Sequence, residues 1–219
     1  MFLKRVAIVV TFAVGGCAEM MADSHSRVCM EGGLPSQCES VQIELRCDRP
    51  LPSRQVAGID TRIAIQVTEG VDAPIVGELF SQFCPPDCID IQLTGPPPWQ
   101  TLRADVSHSL QRHGYEVAKP SPATDRIVDL VGVRADVRSD DPGWTSMKIT
   151  TRAVVGFTAT LFSGGSEVWS AHFVGESQLA SAYASVADSQ QVFSEAYCSA
   201  LEEFAATVSL GTLEAVDGD

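Results

Sequence analysis

One long alternating stretch constrains the fold of this chain more than any other feature. From Met147 to Leu161, apolar residues fall on every second position with Thr151 as the interruption, and mostly polar residues fill the places between. A period of two predicts a strand with one face on a core and one wetter face. The pattern stops at Ser163-Gly164-Gly165-Ser166, where adjacent glycines suit a tight turn, and resumes over Val168–Phe173. We therefore expect a long hairpin whose apolar face is covered by helices.

Shorter alternating segments predict further strands around this hairpin. They lie at Val41–Leu45, Ile59–Val67, Ile89–Leu93, Tyr115–Val117 and Val131–Val137. The rest of Gly70–Thr94 is expected to be irregular, and Asp140-Asp141-Pro142-Gly143 to turn the chain into the hairpin.

Two segments have the three- and four-residue spacing of amphipathic helices. The first follows a proline run and ends before Gly114, and its apolar stripe is Trp99, Leu102, Val106, Leu110 and His113. The place of Trp99 on this stripe favours a core position. The second helix is predicted over about Ser189–Val208.

The order of these elements predicts an α+β fold: an antiparallel β-meander sheet with two helices packed on one face, plus a disulfide-pinned N-terminal segment. The uncovered sheet face should be wet or form a contact surface. We expect a signal peptide at residues 1–16, a tether and cysteine-containing cap at 17–55, the α+β domain at 56–211, and an acidic tail at 212–219.

The N-terminus has the features of an export signal. Met1–Arg5 is basic, and the apolar run Val6–Val14 is nine residues long, too short to span a bilayer as a helix. Val14-Gly15-Gly16-Cys17 resembles the lipobox of bacterial lipoproteins. This resemblance implies cleavage before Cys17, a diacylglycerol on its sulfur, and an acyl chain such as palmitate on the new amine. Ala18 favours the outer membrane, periplasmic face; ordinary secretory cleavage after Gly16 is the alternative.

With Cys17 assigned to lipid attachment, an even number of cysteines remains, which in an exported chain predicts structural disulfides. They are Cys29, Cys38, Cys47, Cys84, Cys88 and Cys198. Their connectivity stays open from sequence alone. If the Cys84–Cys88 turn closes on itself and Cys29 takes its near neighbour Cys38, then Cys47 would pair with Cys198. The position of Cys198, on the flank of its helix's apolar stripe, would let it reach a segment lying alongside.

Composition and motifs argue against several classes of function. A net charge of −13 without a basic stripe argues against nucleic acid as a partner, while 45% apolar residues and a mean hydropathy of +0.09 allow a real core. The sequence has no G-x-S-x-G, phosphate-loop or H-E-x-x-H motif, and no histidine at ligand spacing beside the cysteines.

The histidines and paired acids have plainer interpretations than catalysis. His25 lies in the tether, and His108 and His113 are five residues apart, so they do not share a helix face. His113 near a helix C-terminus suits the dipole, and His172 lies on the wetter face of a strand. Asp140-Asp141 suits a solvated turn better than a cation site. We expect no enzyme, no cofactor and no metal.

The second half of the chain resembles a family. Its pattern comprises Leu102, Val106 and Leu110 ahead of Gly114-Tyr115-x-Val117, followed by Ala135-Asp136-Val137 and Phe173-Val174-Gly175. This looks like YajG-type bacterial lipoproteins and, more distantly, the auxiliary lipoproteins of envelope ABC transporters. The resemblance covers about Pro98–Val208 and includes the lipobox; the cysteine-containing N-terminal segment and the Cys84–Cys88 loop have no counterpart in it. The resemblance implies an outer-membrane or periplasmic lipoprotein, and it implies no catalytic residues in this chain.

We therefore expect a lipid-anchored, non-catalytic envelope protein that binds an unidentified periplasmic or outer-membrane partner. The alternatives are a periplasmic enzyme of thiol-redox or hydrolytic type, and a module that binds a lipid or small ligand.

Overall fold

The computed structural model describes residues 28–31, 34–37, 39–53, 62–69, 75–78, 89–121, 124–139, 148–182 and 185–209. The elements in these ranges are β1 (Val28–Glu31), β2 (Leu34–Gln37), β3 (Glu39–Glu44), β4 (Arg62–Glu69), β5 (Ile75–Glu78), β6 (Ile89–Thr94), α1 (Pro98–Arg112), β7 (Glu116–Ala118), β8 (Arg126–Ser139), β9 (Ile149–Ser163), β10 (Ser166–Ser181) and α2 (Val186–Ser209).

The predicted long hairpin is confirmed as β9 and β10. The two strands pair antiparallel from Ser163 opposite Ser166 to Ile149 opposite Ser181. Gly164 and Gly165 make the turn with φ angles of 57° and 82°, a left-handed conformation that glycine adopts without steric cost. Along β9 the odd-numbered positions from Ile149 to Leu161 are buried, so the alternation in the sequence correctly identified the core face.

β8 is the branching strand of an eight-stranded sheet. One of its edges pairs with β9. Its other edge is shared: β4 pairs with the first half, near Ile127, and β5 with the second half, near Val137. β7 extends the β4 branch, and β6 followed by β3 extends the β5 branch.

The prediction of an antiparallel meander is wrong, because this sheet is mixed. β3–β6, β4–β7, β4–β8 and β5–β8 are parallel pairs, whereas β5–β6, β8–β9 and β9–β10 are antiparallel. Parallel neighbours require a long crossover, and the segment from β4 to β8, which contains α1, supplies one. Alternation reports which face of a strand is buried but not the direction of its neighbour.

Both predicted helices are present, and they contact each other over the sheet. α1 begins at Pro98, ends before Gly114 (φ 97°), and buries Leu102, Val106 and Leu110. The phenol of Tyr197 on α2 donates a 2.7 Å hydrogen bond to Asp105 Oδ2 on α1. Below them lies a core in which Phe157, Phe173 and Phe204 are at most 2% exposed. Trp99 is half-buried rather than part of the core.

Two parts of the chain hold more strands than the sequence predicted. β1 and β2 form a separate antiparallel pair in the expected tether, and β5 lies inside the stretch expected to be irregular. All three are four residues long, too short for alternation to distinguish them from loops. The predicted turn at Asp140–Gly143 lies outside the described residues.

Candidate functional site

The candidate site is a cleft of about 440 Å³ between the chain that follows β3 and the first half of α2. The strand side contributes Arg46, Asp48 and Arg49. The helix side contributes Ala187, Gln190, Gln191, Ser194, Glu195 and Cys198. Its volume falls within the range of small-ligand pockets in proteins.

A disulfide between Cys47 and Cys198 holds the two sides of this cleft together. The bond joins residues 151 positions apart, and their Cα atoms are 5.0 Å apart. Cys198 lines the cleft and is only 2% exposed, and Cys47 is partly buried. The pairing is the one that the sequence favoured for these two cysteines.

Gln190 attaches the end of β3 to α2 next to this bond. Its Oε1 accepts a 2.7 Å hydrogen bond from the Glu44 backbone N–H, and its Nε2 donates to the Glu44 carbonyl at 2.9 Å. Together these two bonds satisfy a backbone donor and acceptor at a sheet edge, as a neighbouring strand would. The side chain therefore substitutes for a strand partner and fixes the cleft wall.

The charges around the cleft are paired with one another. Arg46 contacts Glu44 at 3.5 Å and Asp48 at 3.2 Å, and Arg49 contacts Glu202 at 3.5 Å. These side chains are 36% to 68% exposed, so each pair contributes little to stability and can exchange partners at small cost.

Glu195 lines the cleft and also hydrogen-bonds to the sheet. Its carboxylate accepts hydrogen bonds from Ser177 on β10 at 2.7 Å and from Gln191 at 3.0 Å. These two bonds, together with Arg49, hold the pKa of Glu195 below its ordinary value. The group therefore stays ionised at neutral pH.

The described cleft residues carry charges of both signs and amide groups. Guanidinium, carboxylate and amide groups line the cleft together with Ala187, Ser194 and Cys198. Across the described part of the chain, no group of three or more His, Cys, Asp or Glu residues is arranged to hold a metal ion.

A second polar feature, the Asp105–Tyr197 pair, lies between the helices. Burial raises the pKa of Asp105 above its ordinary value, although the hydrogen bond from Tyr197 and the nearby His108 oppose the shift. Burial, with the Asp105 charge, also raises the pKa of Tyr197. The pair connects α1 to α2.

The structure keeps the described histidines apart. His113 is buried, and its Nδ1 donates a 2.7 Å hydrogen bond to the Ser109 carbonyl. His172 is exposed on the outer sheet face, 3.1 Å from the Thr158 hydroxyl, and His108 is exposed on α1. His25 and the Asp140-Asp141 pair lie outside the described residues.

Most of the predicted cysteine sites cannot be placed. Cys17, Cys38, Cys84 and Cys88 lie outside the described residues, and only the backbone of Cys29 is described. Their roles stay predictions. The sequence analysis did not identify Arg46, Arg49, Gln190 or Glu195; the charges beside Cys47 were a usable signal for the two arginines, whereas nothing local marks Gln190.

Comparison with known proteins supports the fold alone. The sequence matches no protein-family model and no curated protein. A Xanthomonas campestris protein of family DUF330 aligns with a TM-score of 0.54 at 14% identity, over 80% of this chain and 98% of its own. A neuraminyllactose-binding hemagglutinin homolog from Helicobacter pylori gives 0.48 at 12% identity, over 79% of this chain and 96% of its own. Rare lipoprotein B from Shewanella oneidensis gives 0.42 at 8% identity, over 71% and 96%.

Of these three likenesses, the first exceeds a TM-score of 0.5 and shows a shared fold. The other two carry no argument. Fold and site together define the class of this protein as an α+β domain with a mixed sheet, closed by a disulfide that joins its N-terminal segment to its last helix. Neither described helix combines the length and apolarity needed to cross a bilayer.

Proposed function

We propose that this chain is a lipid-anchored, non-catalytic lipoprotein of the bacterial envelope. It serves as a binding or accessory module for another envelope protein, and it faces the periplasm from the outer membrane. The observation that carries the proposal is the Cys47–Cys198 disulfide. Bonds of this kind persist in oxidising compartments and are rare in the bacterial cytosol.

The N-terminal sequence supports the anchor. A basic start, a short apolar run and a lipobox ending at Cys17 occur in the order that lipoprotein processing requires. The resemblance to YajG-type lipoproteins belongs to the same proposal.

The cleft supports binding rather than catalysis. Arg46 and Arg49 are solvated and already paired, which suits groups that exchange partners when a ligand arrives. The bonded cysteines have no free thiolate with which to attack a substrate.

The test is crosslinking and affinity purification from native membranes, with matched variants. An unfolded variant, Phe157→Asp, should lose any specific partner, whereas the folded Thr158→Asp should retain it. Recovery of the same protein with wild type and Thr158→Asp, but not with Phe157→Asp, supports the proposal. No fold-dependent partner, or hydrolytic or thiol-exchange activity that tracks the fold, would contradict it.

A second candidate function, capture of a small amphiphilic ligand, is favoured by the cleft volume of about 440 Å³. Native mass spectrometry of the purified protein should then show a bound species that disappears in the Arg46→Ala/Arg49→Ala variant. An unchanged mass in both proteins would remove this candidate.

A further inference from the structure

The cleft between the segment after β3 and α2 contains charges of both signs. Of its lining residues, Arg46 and Arg49 are cations and Asp48 and Glu195 are anions, so the charges of the lining sum to zero. Its volume of about 440 Å³ lies in the range of small-ligand pockets. A charged ligand that enters the cleft therefore meets side chains of both signs.

Of the two arginines, Arg49 has the larger unused hydrogen-bonding capacity. Among the described residues only its Nη2 is engaged, with the Glu195 carbonyl oxygen at 3.4 Å and a Glu202 carboxylate oxygen at 3.5 Å. Both distances exceed the roughly 2.7–3.2 Å of a usual N–H···O hydrogen bond. The Nε and Nη1 of Arg49 have no partner in the described part of the chain, and such a pair of nitrogens can bind a carboxylate or phosphate through two parallel bonds.

The same cleft has oxygen acceptors that are also unused. Asp48 contacts Arg46 Nε through its Oδ2 at 3.2 Å, and no described residue contacts its Oδ1. Gln191 donates through Nε2 to Glu195 at 3.0 Å, and its amide oxygen has no described partner. An ammonium group carries three donors and no acceptor, so these two oxygens are groups that it can bind.

The other two charges of the lining are already engaged. Arg46 contacts two carboxylates, at 3.2 Å and 3.5 Å. Both carboxylate oxygens of Glu195 accept hydrogen bonds from neighbouring side chains, at 2.7 Å and 3.0 Å. This leaves Arg49 and Asp48, one charge of each sign, as the charged groups with capacity for a ligand.

A ligand with a single charge fits this pair of groups poorly. Glu44 and Glu202 lie beside the cleft and the net charge of the chain is −13, so a ligand that is only an anion enters an acidic neighbourhood. A ligand that is only a cation leaves the two unused nitrogens of Arg49 without an acceptor. A ligand that carries both an anionic oxygen group and an ammonium group binds both side chains and leaves the net charge of the cleft unchanged.

We propose that this cleft binds a small zwitterion, with its carboxylate or phosphate on Arg49 and its ammonium on Asp48. Gln191 contributes its amide oxygen to the ammonium. The Cys47–Cys198 disulfide fixes the segment that carries both charged groups against α2. This inference rests on the second candidate function, capture of a small ligand, and names the chemical class of that ligand.

The test is isothermal titration calorimetry of the full chain with four probes at neutral pH. L-alanyl-L-alanine and O-phosphoethanolamine carry both charges, N-acetyl-L-alanyl-L-alanine keeps only the carboxylate, and L-alanyl-L-alanine amide keeps only the ammonium. We expect one of the two zwitterions to bind about tenfold or more tightly than either single-charge probe. Tighter binding of the dipeptide identifies a carboxylate ligand, and tighter binding of phosphoethanolamine identifies a phosphate ligand.

Two variants assign the ends of the ligand to the two side chains. Asp48→Asn should weaken binding of the zwitterion by about tenfold or more and leave binding of the N-acetyl probe unchanged. Arg49→Gln should weaken the zwitterion equally and leave the amide probe unchanged. The matched controls are Asp136→Asn and Arg62→Gln, which remove the same charges from exposed ion pairs that do not line the cleft, and neither should alter binding.

Equal affinity for all four probes would overturn the proposal, as would zwitterion binding that the cleft variants weaken no more than the controls do. Native mass spectrometry separates this claim from the candidate function on which it rests. A bound species that depends on the two arginines, in a protein that binds neither zwitterion, leaves small-ligand capture standing and removes this ligand class. The absence of a bound species, together with no binding of any probe, removes both.

Discussion

Phe157 is the residue at which the central strand contacts the last helix. Its ring lies 5.3 Å from that of Phe173 and 6.1 Å from that of Phe204. Thr158, the next residue, points to the opposite face and contacts His172. Alternation along one strand therefore separates two very different environments at adjacent positions.

We expect Phe157→Asp to unfold the protein and Thr158→Asp to be tolerated. An unpaired carboxylate in the aromatic cluster costs several kcal/mol, a large share of the roughly 5–15 kcal/mol of a typical domain. Thermal denaturation of both variants measures the difference. Equal melting temperatures would show that the assignment of faces is wrong.

Asp105 is a residue whose charge opposes folding. Because burial raises its pKa in the folded state, the stabilising contribution of the protonated carboxyl is complete below the ordinary pKa and is lost as pH rises through the raised value. Asp105→Asn keeps an oxygen that can accept the Tyr197 hydrogen bond but has no proton to lose.

We expect Asp105→Asn to be more stable than wild type near neutral pH, with the gain disappearing in acid below the ordinary carboxyl pKa. Urea denaturation at a series of pH values measures this. A variant less stable than wild type at neutral pH would show that the ionised carboxylate is favourable in its site.

At the scale of elements, Gly175 sets how closely α2 approaches β10. The position has no room for a Cβ, because backbone atoms of Ala196 and Ala200 occupy that space. Gly156, on the facing strand, has its nearest neighbour, the Phe173 carbonyl oxygen, 3.2 Å from the place of a Cβ.

We expect Gly175→Ala to destabilise the protein strongly and Gly156→Ala only mildly. The first change forces the helix off the strand, at a cost of about 1–3 kcal/mol or more, whereas the second requires a shift of tenths of an ångström. Chemical denaturation of both variants gives the ranking. The reverse ranking would contradict the close approach of α2 to β10.

The Cys47–Cys198 bond joins two elements that are distant in sequence. Because the loop it closes spans 151 residues, the chain-entropy model assigns it about 5 kcal/mol of stabilisation. We expect Cys47→Ala/Cys198→Ala to lose a large part of this amount in denaturation experiments, and to speed amide exchange at Glu44. Peptide mapping of the non-reduced wild type is the control. Recovery of Cys198 as a free thiol or in another pair would contradict the bond.

The arrangement of strands shows which part of the sheet topology could not be predicted from alternation in the sequence. The β9–β10 hairpin was predictable because its partner, turn and register are all local. The β4 and β5 branches on β8 were not, since a segment of any length may return parallel or antiparallel, and alternation is the same in both cases.

At the scale of the whole molecule, the lipid anchor that we propose would determine where the protein acts. One acyl chain binds a membrane only marginally, at about 10⁴ M⁻¹, so stable attachment requires more than one chain. We expect mass spectrometry of the membrane-extracted protein to show acyl chains on a species that begins at Cys17, and Cys17→Ser to remain unprocessed. A water-soluble mature form that begins elsewhere would contradict the lipoprotein assignment.

The sequence by itself determined the buried face of the central hairpin and both helices, and its cysteine pattern favoured Cys47–Cys198; the export signal stays a prediction. These features depend on local spacing, or on the chemistry of a few residues. Only the tertiary structure decided the mixed sheet and the cleft. Each of these arises where segments far apart in sequence meet: Gln190 and Glu44, 146 residues apart, share two hydrogen bonds that no local pattern encodes. Such contacts depend on the path of the chain between them, which is set by packing of the whole domain.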